Sequence, residues 1–123
     1  MMERVEEFTR DGKSIIYIDF SGLRSDNDFI EIIKDVKRVV ASYPERSLYT
    51  ITNIENVRFD TNTKEIVANY MEHNKPYVKY GVVVGLDGIK KILVQTVMKL
   101  SGRQNMHFAF TKEQAIEWLL KQE

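Results

Sequence analysis

Asp19 and Asp60 are the first residues to weigh for chemistry. Asp19 closes an apolar run, Ile15-Ile16-Tyr17-Ile18, that reads as a strand, and Asp60 leads into a stretch that reads as a helix. In an open α/β sheet the carboxyl ends of strands border the crevice where ligands bind. Two carboxylates at one such edge have the chemistry to hold a metal ion or to exchange protons with a substrate. The plainer alternative gives both to the backbone, Asp19 capping a turn with Ser21 and Asp60 capping a helix. Residue type favours the plainer reading, because short carboxylates compete well for free backbone N–H groups.

A second candidate is Gly85-Leu86-Asp87-Gly88-Ile89-Lys90-Lys91, which joins a buried strand to a helix start. Backbone amides at a helix N-terminus attract phosphate, and Gly85, Gly88 and Lys90 suit a small anion. The spacing is not that of a phosphate-binding P-loop, and Asp87 would repel an anion. A tight turn with an aspartate cap explains the same residues.

Other reactive groups are sparse. The two histidines, His73 and His107, lack the spacing of a metal motif. No Gly-x-Ser-x-Gly elbow is present for a serine nucleophile. The absence of cysteine removes disulfides, thiolate metal sites and thiol nucleophiles. A non-enzymatic protein without a cofactor or metal is the expectation.

The elements that must position these residues follow from periodicity. Arg4 to Arg10 and Lys13 to Phe20 read as strands joined at Asp11-Gly12, a pair suited to positive φ at both positions of a tight hairpin turn. Ser25-Asp26-Asn27-Asp28 opens a helix to about Tyr43. Its apolar residues Phe29, Ile32, Ile33, Val36, Val39, Val40 and Tyr43 keep the 3.6-residue period. Leu48 to Ile54 is a strand. A helix follows over about Thr63 to Asn74, with Asn62 and Glu65 at capping-box spacing and Ile66, Val67, Tyr70 and Met71 facing the core. Tyr77 to Val84 reads as the most buried strand. A third helix is expected over about Ile89 to Leu100, and then a strand over Met106 to Phe110. Thr111 and Gln114 introduce a last helix carrying Ala115, Ile116, Leu119 and Leu120.

This order predicts one α/β domain over residues 1–123, with a mostly parallel five-stranded sheet, one antiparallel N-terminal strand and four helices. The expected third helix carries a wide apolar stripe. Ile89, Ile92, Leu93, Val97 and Leu100 form its core side, and Val94 and Met98 broaden it. Such a stripe covers more sheet, forms an interface, or lines an apolar pocket with Tyr77 and Tyr80. Lys90, Lys91, Lys99 and Arg103 lie on or near the same segment.

Lys and Arg number 18, and so do Asp and Glu, so the formal charge is zero. Phosphate neutralisation dominates nucleic-acid affinity, and without a basic excess no nucleic-acid partner is expected. The charged N-terminus lacks the apolar core of a signal peptide. No apolar run nears the ~20 residues that span a bilayer. A cytoplasmic location is the expectation.

Taken in order, several stretches resemble a STAS domain of the SpoIIAA-like group of small prokaryotic proteins. They are Ile16-Tyr17-Ile18-Asp19-Phe20-Ser21-Gly22, Phe59-Asp60-Thr61, Lys75-Pro76-Tyr77-Val78 and Gly85 through Leu93. Phe110 through Ala115 and Trp118-Leu119 complete the set. In the anti-sigma-factor antagonists of that family an Asp-Ser-Ser-Gly-type turn opens the second helix, and its second serine is phosphorylated. The resemblance places Asp60, Thr61, Asn62 and Thr63 there. Asn62 stands at the phospho-acceptor position and the glycine is absent. Thr61 and Thr63 retain hydroxyls, and a phosphate of about −2 charge near a helix N-terminus is favourable. The resemblance implies a regulatory module that docks on another protein, or on itself, through the second and third helices. The alternative is a carrier or sensor of a small lipid-like or phosphorylated ligand near Asp19, Gly85 and Lys90. The similarity of the group to the lipid-binding CRAL-TRIO fold implies that option.

Overall fold

A computed structural model describes residues 4–58, 60–86, 92, 95, 96, 99 and 105–122. The elements are β1 (Val5–Arg10), β2 (Lys13–Asp19), α1 (Asp26–Val40), β3 (Leu48–Asn53), α2 (Thr61–Asn74), β4 (Val78–Val84), β5 (Met106–Ala109) and α3 (Lys112–Leu120). The strands form one sheet in the order β1-β2-β3-β4-β5. β1 runs antiparallel to β2, and all other neighbours are parallel. The hairpin turn has φ of 52° at Asp11 and 78° at Gly12, as the Asp-Gly pair predicts.

Three helices are described end to end, where four were expected. Most of the expected Ile89 to Leu100 helix, including Val94, Met98 and the lysines Lys90 and Lys91, lies outside the described residues. Its described members, Ile92, Gln95, Thr96 and Lys99, are helical and exposed. Ile92 is 65% exposed and so does not join the core as expected. Apolar periodicity groups residues into stripes, but Ile92 shares the i, i+3, i+4, i+7 stripe of three polar residues, and that stripe faces water.

Side chains alternate across the sheet and divide the core in two. Ile16, Ile18, Phe20 and Val83 pack with Phe29, Ile33, Val36 and Val40 of α1 and with Ala68, Tyr70 and Met71 of α2. Ile15, Tyr49, Ile51, Val82 and Val84 pack on the other face against Ala115, Ile116 and Leu119 of α3. Ser25 caps α1, its side chain accepting from the Asp28 amide, and Thr111 caps α3 in the same way from Gln114. Beyond the carboxyl end of α1, the Tyr43 hydroxyl donates to Glu7 Oε1 at 2.8 Å and ties that end to β1.

The crossovers β2–α1–β3 and β3–α2–β4 lie on one face, because successive parallel strands laid down in one direction with one handedness put their helices on the same side. A ligand crevice at strand ends opens where neighbouring crossovers leave to opposite faces. The β2–β3–β4 region has no such point.

Candidate functional site

Asp19, Asn53, Val84 and Ala109 stand in register at the carboxyl ends of β2 to β5 and define a rim. Asp19 Oδ1 accepts from the Ser21 amide at 2.8 Å, closing the turn after β2. Arg4 Nη1 lies 3.9 Å from the same oxygen. It donates to the carbonyls of Ser21 at 2.7 Å and Asp19 at 3.2 Å. The turn-capping role expected for Asp19 is therefore filled.

Asn53 is spent in the same manner. Its Oδ1 accepts from the Glu55 amide at 2.9 Å, and its Nδ2 donates to the Tyr17 hydroxyl at 3.0 Å. Burial pushes the Tyr17 phenol above its ordinary value, against the lowering effect of the Asn53 bond. The negative charges of Asp19, Glu6 and Glu55 act in the same direction as burial. Gly85 ends β4 with φ of 84°. Asp87, Gly88 and Lys90, the rest of the expected anion loop, lie outside the described residues.

At the start of α2 Asp60 is the N-cap, as the plainer sequence reading has it, and the helix begins at Thr61. Asn62 thus lies inside the first turn, and the capping-box spacing of Asn62 and Glu65 does not set the helix start. Asp60 Oδ1 accepts from the Thr63 amide at 2.8 Å and lies 2.9 Å from the Thr63 hydroxyl. That hydroxyl also lies 2.8 Å from Asp26 Oδ1 in the first turn of α1. The carboxylate that Thr63 links to Asp60 is thus Asp26, not Asp19. Neither Asp26 nor the burial of Thr63, which is 3% exposed, was legible beforehand. Thr at the third helical position after an Asp cap is the signal that would have pointed to it. Thr61 and Asn62 are exposed. The two threonines are therefore unlike: one hydroxyl faces water, and the other is enclosed and bonded.

Two expected outcomes follow. Thr63→Val keeps the side-chain shape and removes the hydroxyl, so denaturant unfolding should show a loss of about 1.5–3 kcal/mol, the range for a bond to a charged group. The Asp60 carboxyl is held below its ordinary value, first by the Thr63 amide and then by the Thr63 hydroxyl, with burial opposing. A depressed carboxyl contributes stability above its unfolded value and loses it as pH falls through the folded one. The gap between wild type and Thr63→Val should accordingly narrow in unfolding curves taken at progressively more acid pH.

On the α3 face, Lys112 reaches across β1 and β2. Its Nζ lies 3.6 Å from Glu6 Oε2, 4.3 Å from the Tyr17 ring centroid and 5.6 Å from that of Phe8. Near the other end of α3, Trp118 stacks on His107 and meets Tyr80 edge-on. The sequence reading missed this group, because each member lies on a different element. An apolar pocket lined by both Tyr77 and Tyr80 is one of the three options for the expected third helix. The sheet separates them, since Tyr77 packs with the α1–α2 core and Tyr80 with the α3 core. Phe110, which follows β5 at the rim, is 84% exposed.

Among the described residues no group of three or more His, Asp or Glu side chains is placed to hold a metal ion. No described helix is long and apolar enough to cross a membrane. No family model matches the chain, and no curated protein matches it.

Proposed function

We propose that this chain is a non-enzymatic binding module, resembling the STAS-like regulatory domains, that docks on another protein through the rim at the start of α2. One observation carries the reading: Thr61 and Asn62 stand exposed on the first turn of α2, directly beside a scaffold of bonded groups. Asp60, Thr63 and Asp26 fix that turn against α1. The result is a rigid polar edge, a surface that a partner can read without ordering it first. Asp19 and Asn53 serve the backbone of the same rim, which leaves them a supporting role. A small-ligand carrier would need a strand-end crevice, and the shared face of the two crossovers disfavours one.

A photoreactive amino acid placed at Asn62 tests this in the source cell. The second position is Glu45, in the loop that reaches β3 from α1, at the opposite end of the strands. Irradiation should give a discrete heavier adduct from position 62 and none from position 45. Equal labelling at both, or none at 62, would remove the rim from consideration.

A further inference from the structure

The geometry points to a second copy of this chain as the occupant of the outer edge of β1. Two copies pair β1 with β1, antiparallel, about a two-fold axis at Phe8, and the two sheets become one. β1 ends the sheet, and among the described residues β2 is its only strand neighbour. The chain between β4 and β5 starts and ends at the opposite edge. An exposed edge is usually blunted by a proline, a bulge or charged side chains. β1 has no proline, and its pairing with β2 runs without a register shift. Its charged residues, Glu6, Glu7 and Arg10, are exposed, and they select one register rather than forbidding all. The other edge strand, β5, has four residues against six in β1.

The hairpin fixes which backbone groups face outward. Arg10 and Lys13 flank a two-residue turn and so exchange both of their backbone bonds. Bonded and open positions then alternate along β1. The Asp19 amide donates to the Arg4 carbonyl at 2.7 Å, as this alternation requires. Arg4, Glu6, Phe8 and Arg10 therefore commit their backbone groups to β2, and Val5, Glu7 and Thr9 turn theirs outward. A two-fold contact is self-complementary, so outward groups must meet outward groups. The axis then passes at a residue: Glu6, Glu7, Phe8 or Thr9.

Charge decides among these four. Like charges directly opposite each other are destabilising. An axis at Glu6 or at Glu7 sets that carboxylate against its own copy, and an axis at Thr9 sets Glu7 against Asp11. An axis at Phe8 sets Glu6 against Arg10, twice by symmetry, with Glu7 opposite Thr9 and Phe8 opposite Phe8. Glu6, Phe8 and Arg10 share one face of the strand. Lys112 reaches both Glu6 and Phe8, and the Arg10 guanidinium lies 5.6 Å from the Phe8 ring. Phe8 is half-buried within one copy, and an aromatic partner straight across a strand pair is favourable. The contact uses no residue of the α2 rim, so each copy keeps that surface for the partner proposed above.

A two-strand contact is small, so the dimer is of the weak, transient kind. Sedimentation equilibrium from about 1 μM to about 1 mM covers its range. Wild type should pass from monomer toward dimer across that range. Glu6→Arg and Arg10→Glu should each weaken the dimer about tenfold, because each turns two attractive cross-strand pairs repulsive. An equal mixture of the two variants should dimerise again, since each then meets the opposite charge in the other. Thr9→Pro removes an outward N–H and none that bonds β2, and an edge strand tolerates proline at such a place. It should abolish the dimer, both alone and when carried by both members of the mixture. Far-UV circular dichroism checks the fold of each variant, and Glu7→Pro replaces Thr9→Pro if the fold is lost. A wild type still monomeric at the highest concentration, a mixture that stays monomeric, or a dimer that survives the proline would overturn the proposal.

Discussion

Gly85→Ala should lower stability by about 3 kcal/mol, read as a shift of the urea midpoint at unchanged slope. Two costs combine. Gly85 has φ of 84°, and placing an L side chain in left-handed backbone costs roughly 1–2 kcal/mol. A methyl group there would also lie 2.7 Å from the Glu55 amide nitrogen, 2.8 Å from Asn53 Oδ1 and 2.9 Å from the Glu55 Cα. Two of these are backbone atoms that cannot swing aside, and overpacking of this kind costs about 1–3 kcal/mol. The damage should be local first. The Asn53–Glu55 bond sits in the way, so the amide of Glu55 should lose exchange protection ahead of the strand interiors. An alanine variant as stable as wild type would mean that the chain passes this point by another route.

Phe20→Ala should cost still more, about 3–5 kcal/mol, the usual range for removing a buried ring. Phe20 follows β2 directly and is 1% exposed. Its ring centroid lies 5.1 Å from Phe29 of α1 and 5.9 Å from Tyr70 of α2, the latter edge-on. One side chain thus holds both helices of that face to the end of the sheet. A double-mutant cycle with Phe20→Leu and Tyr70→Leu should return a coupling of about 0.5–1.5 kcal/mol, as aromatic pairs of this geometry give. Additive effects would mean that the two rings do not share a packed site. Phe20→Ala should also weaken the rim, because the turn capped by Asp19 and pinned by Arg4 begins at this residue.

Regular elements were legible in the chain wherever a local period or a local cap specified them. The spacing of Phe29, Ile33, Val36 and Val40 placed α1, and those four are its buried residues. Asp11-Gly12 fixed the hairpin. Thr111 and Gln114 marked the start of α3, where the threonine accepts from the Gln114 amide and the Gln114 side chain from the Phe110 amide. Boundaries were less exact. The last strand ends at Ala109 rather than Phe110, and α2 begins two residues earlier than its apolar pattern suggested. Cap chemistry, not hydrophobic period, decides where a helix starts.

The one-dimensional pattern determined the class of fold, an α/β sheet with one antiparallel edge, because alternation and helical period are properties of neighbouring residues. Tertiary structure alone decided which distant groups meet. It joined Asp26 to Asp60 through Thr63, set His107 on Trp118, and put Tyr77 and Tyr80 on opposite faces. Each of these depends on strand order and on the side of the sheet each crossover takes. Those choices are settled by handedness and by the burial of whole faces, and no short stretch of residues records them.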